Sequence, residues 1–159
     1  MGKRDKLIAG VASLFAFVVY SLTACRTLYT GDSGEINTAA YSLGVPHPPG
    51  YPLWTIIAKF FSFLPLSDFS FRLNIMAGFF SAASVFMLYL FLMKLIVSLH
   101  ENETESLHAA RLASVSASLL FAFSLTFWGQ AVQAKGGIYT INSLFIITLF
   151  YLALDGGRR

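Results

Sequence analysis

Long uncharged apolar stretches dominate this sequence and alternate with short polar loops. Four of them run for 19 or more residues without Lys, Arg, Asp or Glu: Leu7–Cys25, Leu73–Met93, Leu112–Ala134 and Gly136–Leu154. Because an α-helix rises about 1.5 Å per residue, each stretch is long enough to cross a hydrocarbon core of about 30 Å. The pattern therefore predicts four transmembrane helices.

The segment between the first two spans, about residues 26–71, is predicted to be an outer loop that contains two short helices. Apolar positions recur at helical spacing over residues 33–43, and we expect Gly44 to end that helix. Pro52 is a favourable first residue for the second helix. Since Lys59 interrupts the second apolar stretch, we expect this helix to lie at the membrane interface or re-enter it.

Composition supports the same class of protein. The chain has 159 residues, of which 56% are hydrophobic and 12% are charged, whereas a soluble domain carries about 25% charged residues. We therefore predict an all-α, polytopic membrane helical bundle that forms a single membrane domain over residues 1–159. Its predicted spans are about residues 7–25, 72–98, 112–134 and 137–154.

The basic residues of the loops predict the orientation. With both termini in the cytoplasm, seven lie inside: Lys3, Arg4, Lys6, Lys94, Arg111, Arg158 and Arg159. Four lie outside: Arg26, Lys59, Arg72 and Lys135. This bias favours N-in, C-in. Since topology accounts for the positive balance, and no Arg-rich patch with interleaved aromatic residues lies outside the spans, a nucleic-acid partner is not indicated.

Two carboxylates lie at the membrane edge, just after the first span, in the segment Tyr29-Thr-Gly-Asp-Ser-Gly-Glu35. Acidic side chains are costly there unless they are paired or used. One interpretation is a capping box, since Asp32 precedes Glu35 by three residues at the start of a helix. The other is a general base, or a metal ligand, that acts on a lipid-linked substrate. The pattern allows both.

His47 lies in a proline-rich turn, Val45-Pro-His-Pro-Pro-Gly-Tyr-Pro52, within the same loop. A lone histidine is usually structural, but a rigid turn also lowers the entropy that is lost when a ligand binds. A ligand or proton role for His47 is therefore the alternative. Cys25 is the single cysteine, which excludes an internal disulfide and a cysteine-based metal site. We predict no metal-binding residues and leave metal dependence open.

Polar residues also open the second and fourth spans at the outer rim. Arg72 and Asn74 open the second span, and Lys135, Tyr139 and Asn142 open the fourth. The two cations can extend to the interface or pair with acids of the loop. Alternatively, they form a cationic rim that binds the phosphate of a lipid carrier. Gln130 and Gln133 are further candidates for hydrogen bonds to a sugar.

These motifs together resemble one family. Thr30-Gly-Asp-Ser-Gly-Glu35, Leu43-Gly-Val-Pro-His-Pro-Pro-Gly-Tyr-Pro-Leu53, Arg72-Leu-Asn74 and the block Trp128 to Asn142 are similar to the membrane protein O-mannosyltransferase-like family. The resemblance covers about residues 8–155. That family is similar to the GT-C glycosyltransferases, which are multispan helical enzymes that use polyprenyl-phosphate-linked sugars.

The resemblance implies an activity and assigns roles. It implies transfer of a hexose, with mannose favoured, from a polyprenyl-phosphate sugar to a protein hydroxyl on the extracytoplasmic face, with inversion at the anomeric centre. Asp32 would be the catalytic base, supported by Glu35. His47 and Tyr51 would shape the pocket. Donor or phosphate contacts would come from Arg72, Asn74, Lys135, Tyr139 and Asn142. The implied partners are the bilayer, the lipid-linked sugar and a protein acceptor.

Two departures from the family pattern leave alternatives. Many relatives carry a glutamate before the Tyr-x-x-Asn block, where this chain has Lys135-Gly136-Gly137, so Lys135 is expected to bind phosphate instead. GT-C enzymes also have more spans, and the chain stops soon after the fourth, so the alternative is a truncated, inactive fragment that binds a lipid carrier or a partner. A small transporter subunit is less favoured, because it predicts charged residues within the spans. The resemblance favours a bacterial inner membrane, or the endoplasmic reticulum membrane in a eukaryote.

Overall fold

The computed structural model describes residues 2–66, 68–99 and 105–156, and within these ranges every regular element is an α-helix. The seven helices are α1 (Lys3–Thr23), α2 (Ser33–Ser42), α3 (Pro52–Phe61), α4 (Phe69–Leu99), α5 (Glu105–Ala122), α6 (Leu125–Ala131) and α7 (Gly136–Gly156). The predicted all-α membrane bundle is confirmed. Arg158 and Arg159, which entered the prediction of orientation, lie outside the described residues.

Three helices within the described ranges are long and apolar enough to cross a membrane, and a bent pair supplies a fourth candidate span. The three are α1, α4 and the part of α7 over Gly136–Leu154. The pair is α5 with α6, whose axes differ by 65°. The predicted continuous helix over residues 112–134 is therefore interrupted. The break lies at Ser124, whose backbone is extended and whose hydroxyl accepts a hydrogen bond from the N–H of Phe127 at 3.4 Å, so that α6 begins anew.

Helix α4 is the centre of the bundle, and α1, α5 and α7 pack against it. Its 31 residues extend about 46 Å, more than the hydrocarbon core requires. Small residues line the packing faces, including Ala9, Ala12 and Ala16 of α1, all of which are buried. Such residues let helices approach closely where lipid provides no hydrophobic drive for their association. Large apolar side chains on the outer faces of α1 and α7 remain exposed, as a lipid-facing surface requires.

The two ends of the bundle differ in their polar contacts. At one end, Arg111 of α5 donates from Nε to Asp5 of α1 at 2.8 Å, and Tyr151 of α7 packs in the apolar cluster that contains Ala9. The start of α1 and the last turns of α7 therefore share this end. At the opposite end, α1 finishes and α4 and α7 begin, beside the outer loop. We call this opposite end the loop end.

The outer loop folds onto the loop end through α2 and α3, which pack on each other, while α3 also contacts α4. Each has 10 residues and extends about 15 Å, so neither can cross the membrane. Pro52 begins α3 as predicted. The helix α2 ends one residue earlier than expected: Leu43 takes the left-handed conformation, with φ of 53°, and the N–H of Gly44 donates to the carbonyl of Ala39 at 2.9 Å.

Asn74 joins three parts of the chain at the loop end. Its Nδ2 donates to the carbonyls of Cys25 at 2.6 Å and Thr27 at 3.2 Å, and its Oδ1 accepts from the N–H of Ala134 at 2.7 Å. The side chain is 1% exposed. The N–H of Ala134 is buried, and leaving it without a partner would cost about 1–3 kcal/mol. Asn74 therefore fixes the exit of α1 and the entry to α7 against α4.

We predict that Asn74→Leu destabilises the protein by about 2–4 kcal/mol, because it removes three hydrogen bonds to the backbone and leaves the buried N–H of Ala134 without its partner. The matched control is Asn142→Leu, since Asn142 is exposed on α7. Thermal unfolding of the purified protein in detergent measures both. A lowered midpoint for Asn74→Leu with an unchanged midpoint for Asn142→Leu is expected, and equal midpoints for the two variants would contradict this role.

Candidate functional site

The site begins in the segment that connects the end of α1 to the start of α2. Gly31 has φ of +72°, a conformation that glycine adopts without strain, and it turns the chain into Asp32. Asp32 occupies the N-cap position of α2, but its side chain makes no capping hydrogen bond. The capping box, one of the two interpretations that the sequence allowed, is therefore not formed by the Asp32 side chain. The physical reason is the backbone of Asp32, whose φ of −75° and ψ of 3° differ from the extended conformation of an N-cap.

The Asp32 carboxylate instead contacts a cation from the other end of the sequence. Lys135 Nζ donates to Asp32 Oδ2 across 103 positions of the chain. The side chains of Lys135 and Asp32 are 34% and 40% exposed, so the pair lies at the rim of the bundle. The hydrogen bond and charge of Lys135 hold the pKa of the Asp32 carboxyl below its usual range, and the same contact raises the pKa of Lys135. Both groups are therefore charged at neutral pH. Pairing of Lys135 with an acid of the loop was one of the two alternatives that the sequence left open, and it is the one that this geometry shows.

Glu35, one turn into α2, holds the proline-rich turn. The backbone N–H of His47 donates to Glu35 Oε1 at 2.5 Å, and His47 Nδ1 lies 2.8 Å from Oε2. These two hydrogen bonds lower the pKa of the Glu35 carboxyl. Because an ionised carboxylate only accepts hydrogen bonds, Nδ1 carries the proton in this arrangement. The ring of Tyr51 meets the His47 ring edge-on, with centroids 6.2 Å apart. Glu35, His47 and Tyr51 thus form one unit beside Asp32.

Two adjacent glycines place Lys135 against the loop. A Cβ at Gly136 would collide with the backbone carbonyl of Gln130 in α6, and one at Gly137 would lie 2.8 Å from Trp54 Nε1. The start of α7 can therefore approach α6 and α3 closely only because both residues lack side chains. The segment Lys135-Gly136-Gly137, which departs from the family pattern, therefore changes the local charge and also allows close helix packing.

Arg72 and Asn74 lie behind the site. Arg72 donates from Nε to the carbonyl of Leu66 at 2.8 Å and from Nη1 to that of Ser62 at 2.7 Å, which holds the connection from α3 to α4. Asn74 is buried and bonded to backbone as described above. Asp68 accepts from the N–H of Ser70 at 2.8 Å and so caps α4. The predicted contacts of Arg72 and Asn74 with a donor gain no support from this geometry, which gives them positioning roles.

An open cavity of about 610 Å³ adjoins the pair, between the α5–α6 bend and α7. Its lining includes Thr30, Phe121, Ser124, Thr126, Phe127, Gln130, Gln133, Lys135, Tyr139 and Ser143. The sequence singled out Lys135 and Tyr139, and pointed to the two glutamines. The sequence analysis did not predict that Thr30 and the residues of the α5–α6 bend would line the cavity. The bend could have been predicted from Ser124, because serine is a good helix-capping residue and this one lies in an otherwise apolar run. Asn142 is exposed on α7 and is not among the cavity residues.

The side chains near the site offer few groups that could bind a metal ion. Among the described residues, no three His, Cys, Asp or Glu side chains form a group that could hold a metal ion. Both carboxylates of the segment between α1 and the proline-rich turn already have partners, Lys135 for Asp32 and His47 for Glu35. The arrangement is suited to proton transfer and to binding an anion at the membrane edge.

Fold and site together define a helical membrane protein with an acidic, ion-paired site in its first loop. The family described as the Protein O-mannosyl-transferase TMEM260 N-terminal domain matches residues 32–158. The chain belongs to this family, and the resemblance noted in the sequence is confirmed.

Curated relatives agree with this assignment. The chain is 34% identical over 154 residues to Protein O-mannosyl-transferase TMEM260 of Mus musculus, which covers 95% of the chain and 20% of the relative. It is 29% identical over 156 residues to Protein O-mannosyl-transferase tmem260 of Dictyostelium discoideum, with 95% and 17% covered. The chain therefore spans about a fifth of the length of these relatives. No solved structure matches it.

We predict that Gly136→Ala destabilises the protein by about 1–3 kcal/mol, because the added methyl group forces α7 away from the Gln130 carbonyl. Gly129→Ala is the matched control, since a Cβ at this α6 glycine meets nothing within 4 Å. It should be neutral or stabilise by up to about 1 kcal/mol. Unfolding midpoints in detergent compare the two, and a Gly136→Ala midpoint equal to that of the control would contradict the packing role.

Proposed function

We propose that this chain carries the catalytic loop of a membrane glycosyltransferase. In this proposal, mannose passes from a polyprenyl-phosphate-linked donor to a hydroxyl of a protein acceptor. The names of the relatives support protein O-mannosyl transfer. The observation that carries the proposal is the ionised Asp32, placed at the membrane edge against Lys135 and beside the cavity.

The proposed chemistry is a single displacement. Asp32 takes the proton of the acceptor hydroxyl, and the hydroxyl oxygen forms a bond to the anomeric carbon of the sugar. The bond between that carbon and the phosphate oxygen breaks at the same time, so the configuration inverts. The lipid phosphate leaves with the bonding electron pair, and Lys135 stabilises its charge. A general base contributes about 10²–10⁴-fold to the rate in such a step.

The neighbouring residues support this step by position. Glu35 holds the backbone and ring of His47, which fixes the proline-rich turn next to Asp32. His47 and Tyr51 shape one wall of the acceptor site, and Tyr139 lies on the donor side, in the cavity. In this proposal Asn142 meets the donor from the exposed face of α7, while Arg72 and Asn74 hold the backbone behind the site.

The proposed site faces away from the cytoplasm. The start of α1 and the last turns of α7 lie at the end of the bundle opposite the loop, where Lys3, Arg4, Lys6, Lys94 and Arg111 are found. Since basic residues favour the cytoplasmic side, the loop end is the extracytoplasmic face. This corresponds to the outer face of a bacterial inner membrane or the lumenal face of the endoplasmic reticulum.

We predict that Asp32→Asn lowers mannose transfer by about 10²-fold or more, because the amide cannot accept the hydroxyl proton. The assay follows radiolabelled mannose from polyprenyl-phosphate mannose to protein, in membranes that contain the full-length protein. Asp68→Asn is the matched control: Asp68 lies in the same loop and caps α4, a role that asparagine also fills.

The control should retain transfer at the level of the wild type. Equal transfer by Asp32→Asn and the wild type, at equal expression, would reject Asp32 as the base. Absence of transfer in every variant would instead favour a binding role or another sugar, and the same assay with other polyprenyl-phosphate sugars separates these outcomes.

A further inference from the structure

Lys135 lies between the Asp32 carboxylate and the cavity, so its positive charge can meet an anionic group on either side. On one side its Nζ contacts the Asp32 carboxylate, and on the other its side chain forms part of the wall of the 610 Å³ cavity. A lysine ammonium is a compact charge on a flexible four-carbon stem, so it can turn from one partner to another without movement of the backbone. The backbone of Lys135 itself is held by the packed glycines that follow it.

The cavity suits a ligand that is part apolar and part polar. Phe121 and Phe127 contribute apolar surface, whereas Gln130, Gln133 and Tyr139 contribute hydrogen-bonding groups. The helix that borders the cavity is interrupted at the α5–α6 bend. In membrane proteins such irregular backbone is found where it is buried or lines a water-filled cavity. Lys135 is the cationic group of the lining. A phosphate that joins a sugar to a lipid chain matches this set of groups.

We propose that Lys135 is an exchangeable counter-ion, which pairs with Asp32 when the cavity is empty and with the phosphate of a lipid-linked sugar when the cavity is filled. This inference rests on the proposed function and adds a regulatory step to it. Donor binding withdraws the cation from Asp32 and leaves the carboxylate free to accept a proton. The base is therefore activated only when a donor is in place.

The strength of the pair permits such an exchange. Exposed ion pairs are weak, whereas a phosphate carries charge and several acceptor oxygens. While Lys135 is paired with Asp32, it lowers the pKa of that carboxyl and so weakens it as a base. Release of Lys135 removes this effect. Binding of the donor phosphate and the strength of Asp32 as a base are thus linked through the Lys135 side chain.

The test measures binding without transfer, so that its outcome is independent of the proposed activity. Polyprenyl monophosphate without sugar is titrated onto the full-length protein in nanodiscs, and bound lipid is quantified by native mass spectrometry. Lys135→Met should weaken binding about tenfold, through loss of a charged hydrogen bond. Asp32→Asn should tighten binding about two- to fivefold, because Lys135 no longer has a competing partner.

The double variant and a matched control decide the interpretation. In the Lys135→Met background, Asp32→Asn should have no effect, since its influence acts through Lys135. Asp68→Asn removes a negative charge of the same loop without freeing Lys135, and should leave affinity unchanged. Polyprenol, which lacks phosphate, should bind all variants equally. Unchanged or weaker binding by Asp32→Asn, or tightening that persists without Lys135, would overturn the exchange even if mannose transfer is found.

Discussion

The contact between Lys135 and Asp32 joins two parts of the sequence on which the site depends. Asp32 belongs to the first outer loop, and Lys135 directly precedes the last helix, 103 positions later. Without this contact the loop carboxylate and the cavity beside α7 would be separate features. With it, an acid, a cation and an amphipathic cavity share one rim of the bundle, which is the arrangement that the proposed transfer uses.

The pair itself does not hold the fold together. An ion pair as exposed as this one contributes little to stability, and the buried contacts beneath it hold the fold. Asn74 fixes three backbone segments from within the bundle, and the glycines at 136 and 137 let α7 seat against α6 and Trp54. The scaffold therefore sets the distance between Asp32 and Lys135, and the proposed exchange of partners needs no change in it. The residues that stabilise the fold therefore differ from the pair that is proposed to carry out the chemistry.

Much of this arrangement could be predicted from the sequence, and the limits have physical causes. Uncharged runs of sufficient length predict spans well, because the bilayer core excludes charge, and Pro52 correctly marked the start of α3. The break at Ser124 was missed because hydropathy does not register a small polar residue in an apolar run. The partner of Asp32 was left among alternatives, since both a cap and a distant lysine satisfy a carboxylate. The distinction came from the backbone angles of Asp32, which no spacing rule supplies.

The same limits apply to the residues that were expected to meet a donor. Arg72 and Asn74 stood at the predicted rim, yet both bind backbone groups of the chain, because the helix that carries them is the central one. The bend residues reach the cavity through the geometry of α5 and α6, and Thr30 reaches it from the first outer loop; the sequence suggested neither. Proximity to a membrane face predicts the region of a site, and packing decides which side chains enter it.

The central claim is that Asp32 and Lys135 are in contact in the membrane-embedded protein. Zero-length cross-linking with a carbodiimide tests this directly, because the reagent joins a carboxylate and an amine only when they already touch. Digestion and mass spectrometry of cross-linked membranes should identify an amide bond between Asp32 and Lys135. A product in which Lys135 is joined mainly to Glu35, or in which Asp32 is joined to Lys59, would contradict the account.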